Sequence, residues 1–261
     1  MFAVAIRVAA IQLGLQQGSY EDVIGKALSL VKEAAESNVN IACLPEHWLI
    51  EYQDQVERSV ADLARAAKDN EIWLVTGANY AHPASTTFVE SLLLAPDGSV
   101  VGCQRKIHLF GDEKARAIAG SEYNVFHAGG CKVGIVVCYD NVFPEVSRIL
   151  ALKGAEILFV PSRIRAEGLD PWLLYLRVRA LENRVPIVAP NIFRPPKYPG
   201  RSVIVDLEED RASGVVLPKV TTLTKPDDQV VAADIDLDTA RRLRRERLAD
   251  RRPETYREVT A

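Results

Sequence analysis

The chain has 261 residues, 48% of them hydrophobic and 26% charged, enough for one large α/β domain or two small ones with a substantial core. A formal net charge of −3 gives no electrostatic reason to expect nucleic acid or an anionic membrane as partner, and no apolar run approaches the length of a bilayer span. The four cysteines (Cys43, Cys103, Cys131 and Cys138) form no CxxC pair, and the four histidines lack zinc-finger spacing. Neither a structural metal nor a cofactor is therefore expected. Free thiols and no export signal point to the reducing cytoplasm.

In chain order, Phe2–Leu13 is apolar but lacks a basic start and carries Arg7, so it reads as a strand rather than a signal peptide. Ser19 and Asp22 form a capping box, and Val23, Ala27, Val31 and Ala34 then lie on one helical face. Residues 40–44 read as a short buried strand ending at Pro45-Glu46, and residues 53–68 as a second amphipathic helix. A strand at 72–78 precedes a hairpin of Phe88–Leu94 and Val100–Arg105 around the turn Pro96-Asp97-Gly98-Ser99. Residues 107–122 are mostly polar and predict a long loop with one helical turn. A second hairpin, 123–128 and 132–137, turns at Gly129-Gly130. A helix from Pro144 to Lys153 closes at Gly154. A strand at 156–160, a helix opened by Asp170-Pro171 and a strand at 186–189 follow. Strands at 202–206 and 229–235 and a short helix after Asp238 complete the pattern. With no repeat, low-complexity stretch or linker, residues 1–261 read as a single domain, with 238–261 its C-terminal helix and tail. Hairpins mixed with helical crossovers point to a layered α/β sandwich.

Three polar residues each follow directly on an apolar strand: Glu46, Lys106 and Cys138. Ligand sites in layered α/β folds gather at the carboxyl ends of strands, so neighbouring strands would bring a carboxylate, an ammonium and a thiol to one sheet edge. These groups suffice for acyl transfer. Glu46 takes the thiol proton, Cys138 attacks, and Lys106 with the N–H just after Cys138 stabilises the oxyanion. Taken singly, each has a bland reading: a buried structural thiol, a loop carboxylate, a solvated lysine. Cys43, Cys103 and Cys131, which lie within strands or at a strand start, are assigned to that reading.

The segments Leu44-Pro45-Glu46, Arg105-Lys106-Ile107-His108-Leu109-Phe110 and Cys138-Tyr139-Asp140-Asn141-Val142-Phe143-Pro144-Glu145 resemble the three signature regions of the nitrilase superfamily of carbon–nitrogen hydrolases. The likeness extends through 152–157 and 179–184 to the tail at 250–256. The resemblance implies a four-layer α-β-β-α sandwich that dimerises through helices, with Glu46 as base, Lys106 as oxyanion partner and Cys138 as nucleophile. It also implies a thioester or thioimidate that water hydrolyses, and a second glutamate for which Glu113 fits. His108 reads as a structural hydrogen-bonder. Val142 stands where many amidase-like members carry arginine. Residues 206–210 replace a usual proline-glycine turn, and the 194–197 loop is atypical. Tyr139-Asp140 after the cysteine leans toward small amides over nitriles as substrates. Trp48, Tyr139 and Arg163 are pocket candidates by position. Other readings are a thioester-forming acyltransferase, whose membrane-bound members carry spans this chain lacks, and a silent scaffold, which would have lost a triad residue. The arginine-rich stretch 241–252 is interspersed with Glu246 and Asp250 and reads as a solvated face or subunit contact rather than a nucleic-acid site.

Overall fold

The computed structural model describes residues 5–14, 18–83, 86–223 and 227–260. The predicted start of the first strand, 2–4, lies outside them. Strand β1 (Ala5–Gly14) leads to helix α1 (Tyr20–Glu36), whose first turn is closed by the reciprocal Ser19 and Asp22 bonds the capping box predicts. Next come β2 (Ile41–Cys43), α2 (Val56–Asp69), β3 (Trp73–Val75) and β4 (Asn79–Ala81). The hairpin β5 (Phe88–Leu94) and β6 (Val100–Arg105) is followed by a short α3 (Glu113–Arg116). A second hairpin, β7 (Val125–Ala128) and β8 (Cys131–Ile135), turns on Gly129 and Gly130, both at positive φ, as a tight two-residue connection requires. Then follow α4 (Pro144–Leu152), β9 (Ile157–Phe159), α5 (Leu169–Asn183), β10 (Ile187–Ala189), β11 (Ile192–Arg194) and β12 (Tyr198–Pro199). The chain closes with β13 (Val203–Glu209), β14 (Val216–Thr222), β15 (Gln229–Asp236) and α6 (Leu237–Ala249).

Two sheets result. One runs β12-β11-β1-β2-β3-β5-β4, with β15 also paired to β1 and β6 to β5; the other runs β14-β13-β10-β9-β8-β7. Each has a parallel centre, β11-β1-β2-β3 in the first and β8-β9-β10 in the second, with antiparallel strands paired to its edges. The central strands are apolar on both faces, because both faces are covered. In β1, Val8 and Ala10 point into the layer between the sheets, where they meet Ile135, Val137, Phe159 and Val188. Ala9 and Ile11 point the other way, onto α1 and α2. On the second sheet Val136, Leu158 and Ile187 pack outward against α4 and α5. The architecture is thus the four-layer α-β-β-α sandwich that the resemblance implies, each buried Val or Ile contributing about 1.5–3 kcal/mol.

Three local expectations need correction. Residues 53–55 form a 3-10 turn, and the α-helix begins only at Val56. The segment 206–209 is not a turn but the continuation of β13. The reversal comes at Asp210, whose carboxylate accepts from the N–H groups of Ala212 and Ser213. Strand β14 is absent from the sequence reading; it is an edge strand, where Pro218 can lack an N–H without breaking a ladder.

Candidate active site

The parallel centres of both sheets end at the same rim. Beyond β2, Glu46 forms an isolated parallel bridge with Ala78, while its own N–H donates across to Ser162 O at 3.2 Å, a residue beyond β9 of the opposite sheet. Backbone passes so close here that a Cβ on Gly77 (φ +74°) would lie 2.1 Å from Pro45 O, so only glycine fits behind the glutamate. The sequence argument placed the three polar groups at one sheet edge. They instead meet across two facing sheets, because β2 and β6 belong to the first and β8 to the second.

Lys106 follows β6 and is pinned at both backbone groups, its N–H to Val89 O and its carbonyl from Gly120 N–H, each at 2.8 Å. Its side chain is 1% exposed, and Nζ donates to Glu46 Oε1 at 2.8 Å and to Glu113 Oε1 at 2.9 Å. Glu113 opens α3, is buried, and also accepts from Phe110 N–H at 2.8 Å through Oε2 and from His47 Nε2 at 2.8 Å through Oε1. The sequence-predicted Glu46, Lys106 and Glu113 are therefore one buried, bonded cluster.

Cys138 lies beyond β8 at φ +46°, a left-handed conformation unusual for a residue with a side chain, at the start of a 3-10 turn spanning Cys138–Val142. Its N–H donates to Pro161 O at 3.0 Å. From α5, the buried Arg179 donates to the carbonyls of Asn141 (3.1 Å) and Val142 (2.8 Å), holding the far end of the turn. Among the described residues the Tyr139 N–H has no partner, as befits the first donors of a helical turn. The turn has the sharp strand-to-helix shape of a nucleophile elbow, with Cys138 at its start.

The charges of the site follow from burial and pairing. Burial pulls the Lys106 ammonium down, but the neighbouring Glu46, Cys138 and Glu113 hold it above its ordinary value, so it stays charged. Burial pushes Glu113 up, yet the His47, Lys106 and Phe110 donors bring it down to about 2. The Cys138 thiol is pushed up by burial and by the Glu46 carboxylate, which outweigh Lys106 and the Arg163 N–H. The resting sulfur is therefore a thiol, with Glu46 as its neighbouring carboxylate.

Glu46, His47 and Glu113 bring potential metal-ligating atoms within 4.8 Å of one another. The Lys106 ammonium, 2.8 Å from an oxygen of each carboxylate, already takes the place a cation would occupy.

The pocket candidates separate. Arg163 directs its N–H at the Cys138 sulfur. Its Nε is buried without a hydrogen-bond partner among the described residues, and its guanidinium lies 4.9 Å from the Tyr198 ring centroid. Tyr139 is half-buried next to Cys138, tilted on Phe110 and edge-on to Phe143. Trp48 does not line the site. It is 2% exposed in the layer beneath α1 and α2, its indole N–H donating to Thr76 O at 3.0 Å. Cys43 and Cys131 are buried, and Cys103 is half-buried on β6. Two participants escaped the sequence reading. His47 was passed over beside Glu46, although a histidine next to a carboxylate was itself a signal. Asp140 was read only as motif text.

Comparison with known proteins places this geometry in context. Residues 7–245 match the family model for carbon-nitrogen hydrolases, and the chain belongs to that family. It is accordingly a hydrolase of carbon–nitrogen bonds. The chain is 31% identical to omega-amidase NIT2 of Mus musculus, with 88% of each chain covered, and 28% identical to omega-amidase NIT2 of Homo sapiens, with 89% of each covered. Its fold is similar to that of a carbon-nitrogen hydrolase from Helicobacter pylori G27 (TM-score 0.84, 23% identity, 98% of each chain covered). It is also similar to an amidase from Nesterenkonia AN1 (TM-score 0.81, 23% identity, 97% and 96% covered).

Proposed function

We propose that the enzyme hydrolyses small primary amides, and with the same groups small nitriles, releasing ammonia through a covalent intermediate on Cys138. The carrying observation is the Lys106 ammonium fixed between Glu46 and Glu113 beside a thiol at a strained elbow. Cys138 Sγ attacks the carbonyl carbon while Glu46 takes the thiol proton. Lys106 Nζ and the Tyr139 N–H stabilise the oxyanion, a donor of this kind being worth about 3–4 kcal/mol. Glu46 returns the proton to the leaving nitrogen, the C–N bond breaks, and ammonia departs from a thioester. Water then attacks, giving a proton to Glu46; the C–S bond breaks, the acid leaves, and the thiol is reprotonated. Arg163 and Tyr139 are the substrate contacts in this reading. A buried Arg163 Nε–H without a partner among the described residues suits a polar group on the substrate distal to the amide. The names of the omega-amidase relatives, and a Nesterenkonia amidase mutant described as carrying an acetamide moiety on its active-site cysteine, support amides and a covalent route.

Residues 1–261 act as one unit in this reading, paired with a second copy through α5. That helix buries Leu169, Trp172, Leu173 and Leu176 yet leaves Leu174 60% and Val178 38% exposed, one turn apart on a single stripe. No helix among the described residues is long and apolar enough to cross a membrane. The free thiols suit a reducing compartment such as the cytoplasm. The test is ammonia release from a panel of small amides and nitriles. Cys138→Ala should lose on the order of 10⁴-fold in rate; turnover retained in that variant refutes the mechanism.

A further inference from the structure

We infer that His47 is a positioning residue for the reaction, setting the place of the Lys106 ammonium through Glu113. The inference rests on the reading of Cys138, Glu46 and Lys106 as the reacting groups. His47 is 4% exposed, directly follows Glu46, and adopts φ +53°, a conformation that histidine rarely takes without a compensating interaction. Its backbone is fixed there by an N–H bond to Ala78 O at 2.6 Å. The ring stacks on Tyr80 with centroids 4.8 Å apart, and Nε2 lies 2.8 Å from Glu113 Oε1.

The protonation pattern follows from the partner. Glu113 is held ionised by Lys106 and Phe110 and can only accept, so His47 carries its proton on Nε2. Nδ1 is buried and has no partner among the described residues. The ring is a one-donor clamp. With it in place, Glu113 receives His47 and Lys106 on Oε1, and Phe110 and Lys106 on Oε2. Glu113 is held on both oxygens, and Lys106 stays between two carboxylates beside Cys138. Without the clamp Glu113 Oε1 loses one of its two donors, and Lys106 is freer to shift toward Glu46. The base is then tied up by the ammonium, and the ammonium withdraws from the oxyanion. Both consequences act on the transition state, so the effect falls on kcat and not on KM.

The experiment uses the full chain and three substitutions. His47→Phe keeps the stacking on Tyr80 and removes the donor. His47→Gln carries an amide nitrogen near the place of Nε2. His47→Asn tolerates the left-handed backbone but falls short of Glu113. We expect kcat for the best amide to fall by roughly 10- to 100-fold in His47→Phe and His47→Asn, as for a misplaced catalytic group. KM and Tm should change little, and His47→Gln should recover most of the loss. Alkylation of Cys138 by iodoacetamide, followed by mass spectrometry, needs no substrate and should slow in the same order. A kcat within twofold of wild type in His47→Phe overturns the inference. So does a loss shared equally by His47→Gln and matched by a fall in Tm, or a change confined to KM. If the wild type turns over no amide while alkylation still follows the order above, the proposed substrate falls and the role of His47 stands.

Discussion

The Asp140 carboxylate accepts three hydrogen bonds from the strand end that carries the lysine: Ile107 N–H at 3.2 Å, His108 N–H at 2.7 Å and His108 Nδ1 at 2.9 Å. Asp140 stands two residues after Cys138 and His108 two residues after Lys106. This one buried side chain therefore locks together the segments that hold them. The His108 ring is completed by stacking on Phe143 at 3.7 Å.

Asp140→Ala should leave two half-buried backbone donors without their partner, lowering stability in urea melts by about 1 kcal/mol or more. Its kcat should fall by roughly tenfold or more, because both reacting segments lose their shared anchor. Unchanged kinetics in a destabilised variant would show that the anchor serves the fold alone.

Glu46→Gln should remove the base for both the attack and the hydrolytic step while keeping the size of the side chain. Residual acylation then outlasts deacylation, and an acyl adduct accumulates on Cys138. Intact-protein mass spectrometry after incubation with a small amide reads the adduct directly, and steady-state turnover at the wild-type rate would rule out Glu46 as base.

Cys138 alkylation should depend on pH in a particular sense. The folded-state pKa is raised by burial and by Glu46, so the thiolate is the minor form throughout the neutral range. The rate should keep climbing through the ordinary thiol range, about 8.5, instead of levelling off below it. A plateau at acidic pH would mean a preformed thiolate–ammonium pair with Lys106.

Glu113 is depressed to about 2 in the fold, below its unfolded value. Its contribution to stability is therefore complete above the ordinary carboxylate pKa, about 4.3, and is lost as pH falls through the folded value. Wild type and Glu113→Gln should differ in Tm at neutral pH and converge as the solution is acidified across that window. A constant difference would place the origin of the effect elsewhere.

EDTA should leave turnover unchanged, because the cation among Glu46, His47 and Glu113 is the ammonium of Lys106 itself. Strong inhibition by the chelator, relieved by a divalent metal, would contradict this.

Much of this arrangement is legible in the sequence, for identifiable reasons. Glu46, Lys106 and Cys138 each end an apolar run, and a polar residue at that point can only sit at a sheet rim. Ser19 and Asp22 mark the start of α1 through a purely local bond pair. What local pattern cannot carry is which rim faces which. The pairing of strands into two sheets depends on contacts tens of residues apart, so the site looked like one edge. His47 stayed hidden for the same reason, since its partner Glu113 is 66 residues away. Trp48 was misplaced because position near Glu46 says nothing of direction; two residues on, its ring turns into the outer core toward Thr76. Strand β14 carries Pro218, which obscures a pattern that only its position at the sheet edge makes tolerable.

The bond from Glu46 N–H to Ser162 O spans the gap between the two sheets, with Glu46 and Lys106 on one side and Cys138 on the other. The chemistry is thereby geared to the thickness of the middle layer. Trimming a methylene there, by Ile135→Val, should disturb turnover sooner than it melts the protein. A scaffold of this kind is free to diversify at its skin and constrained in its filling.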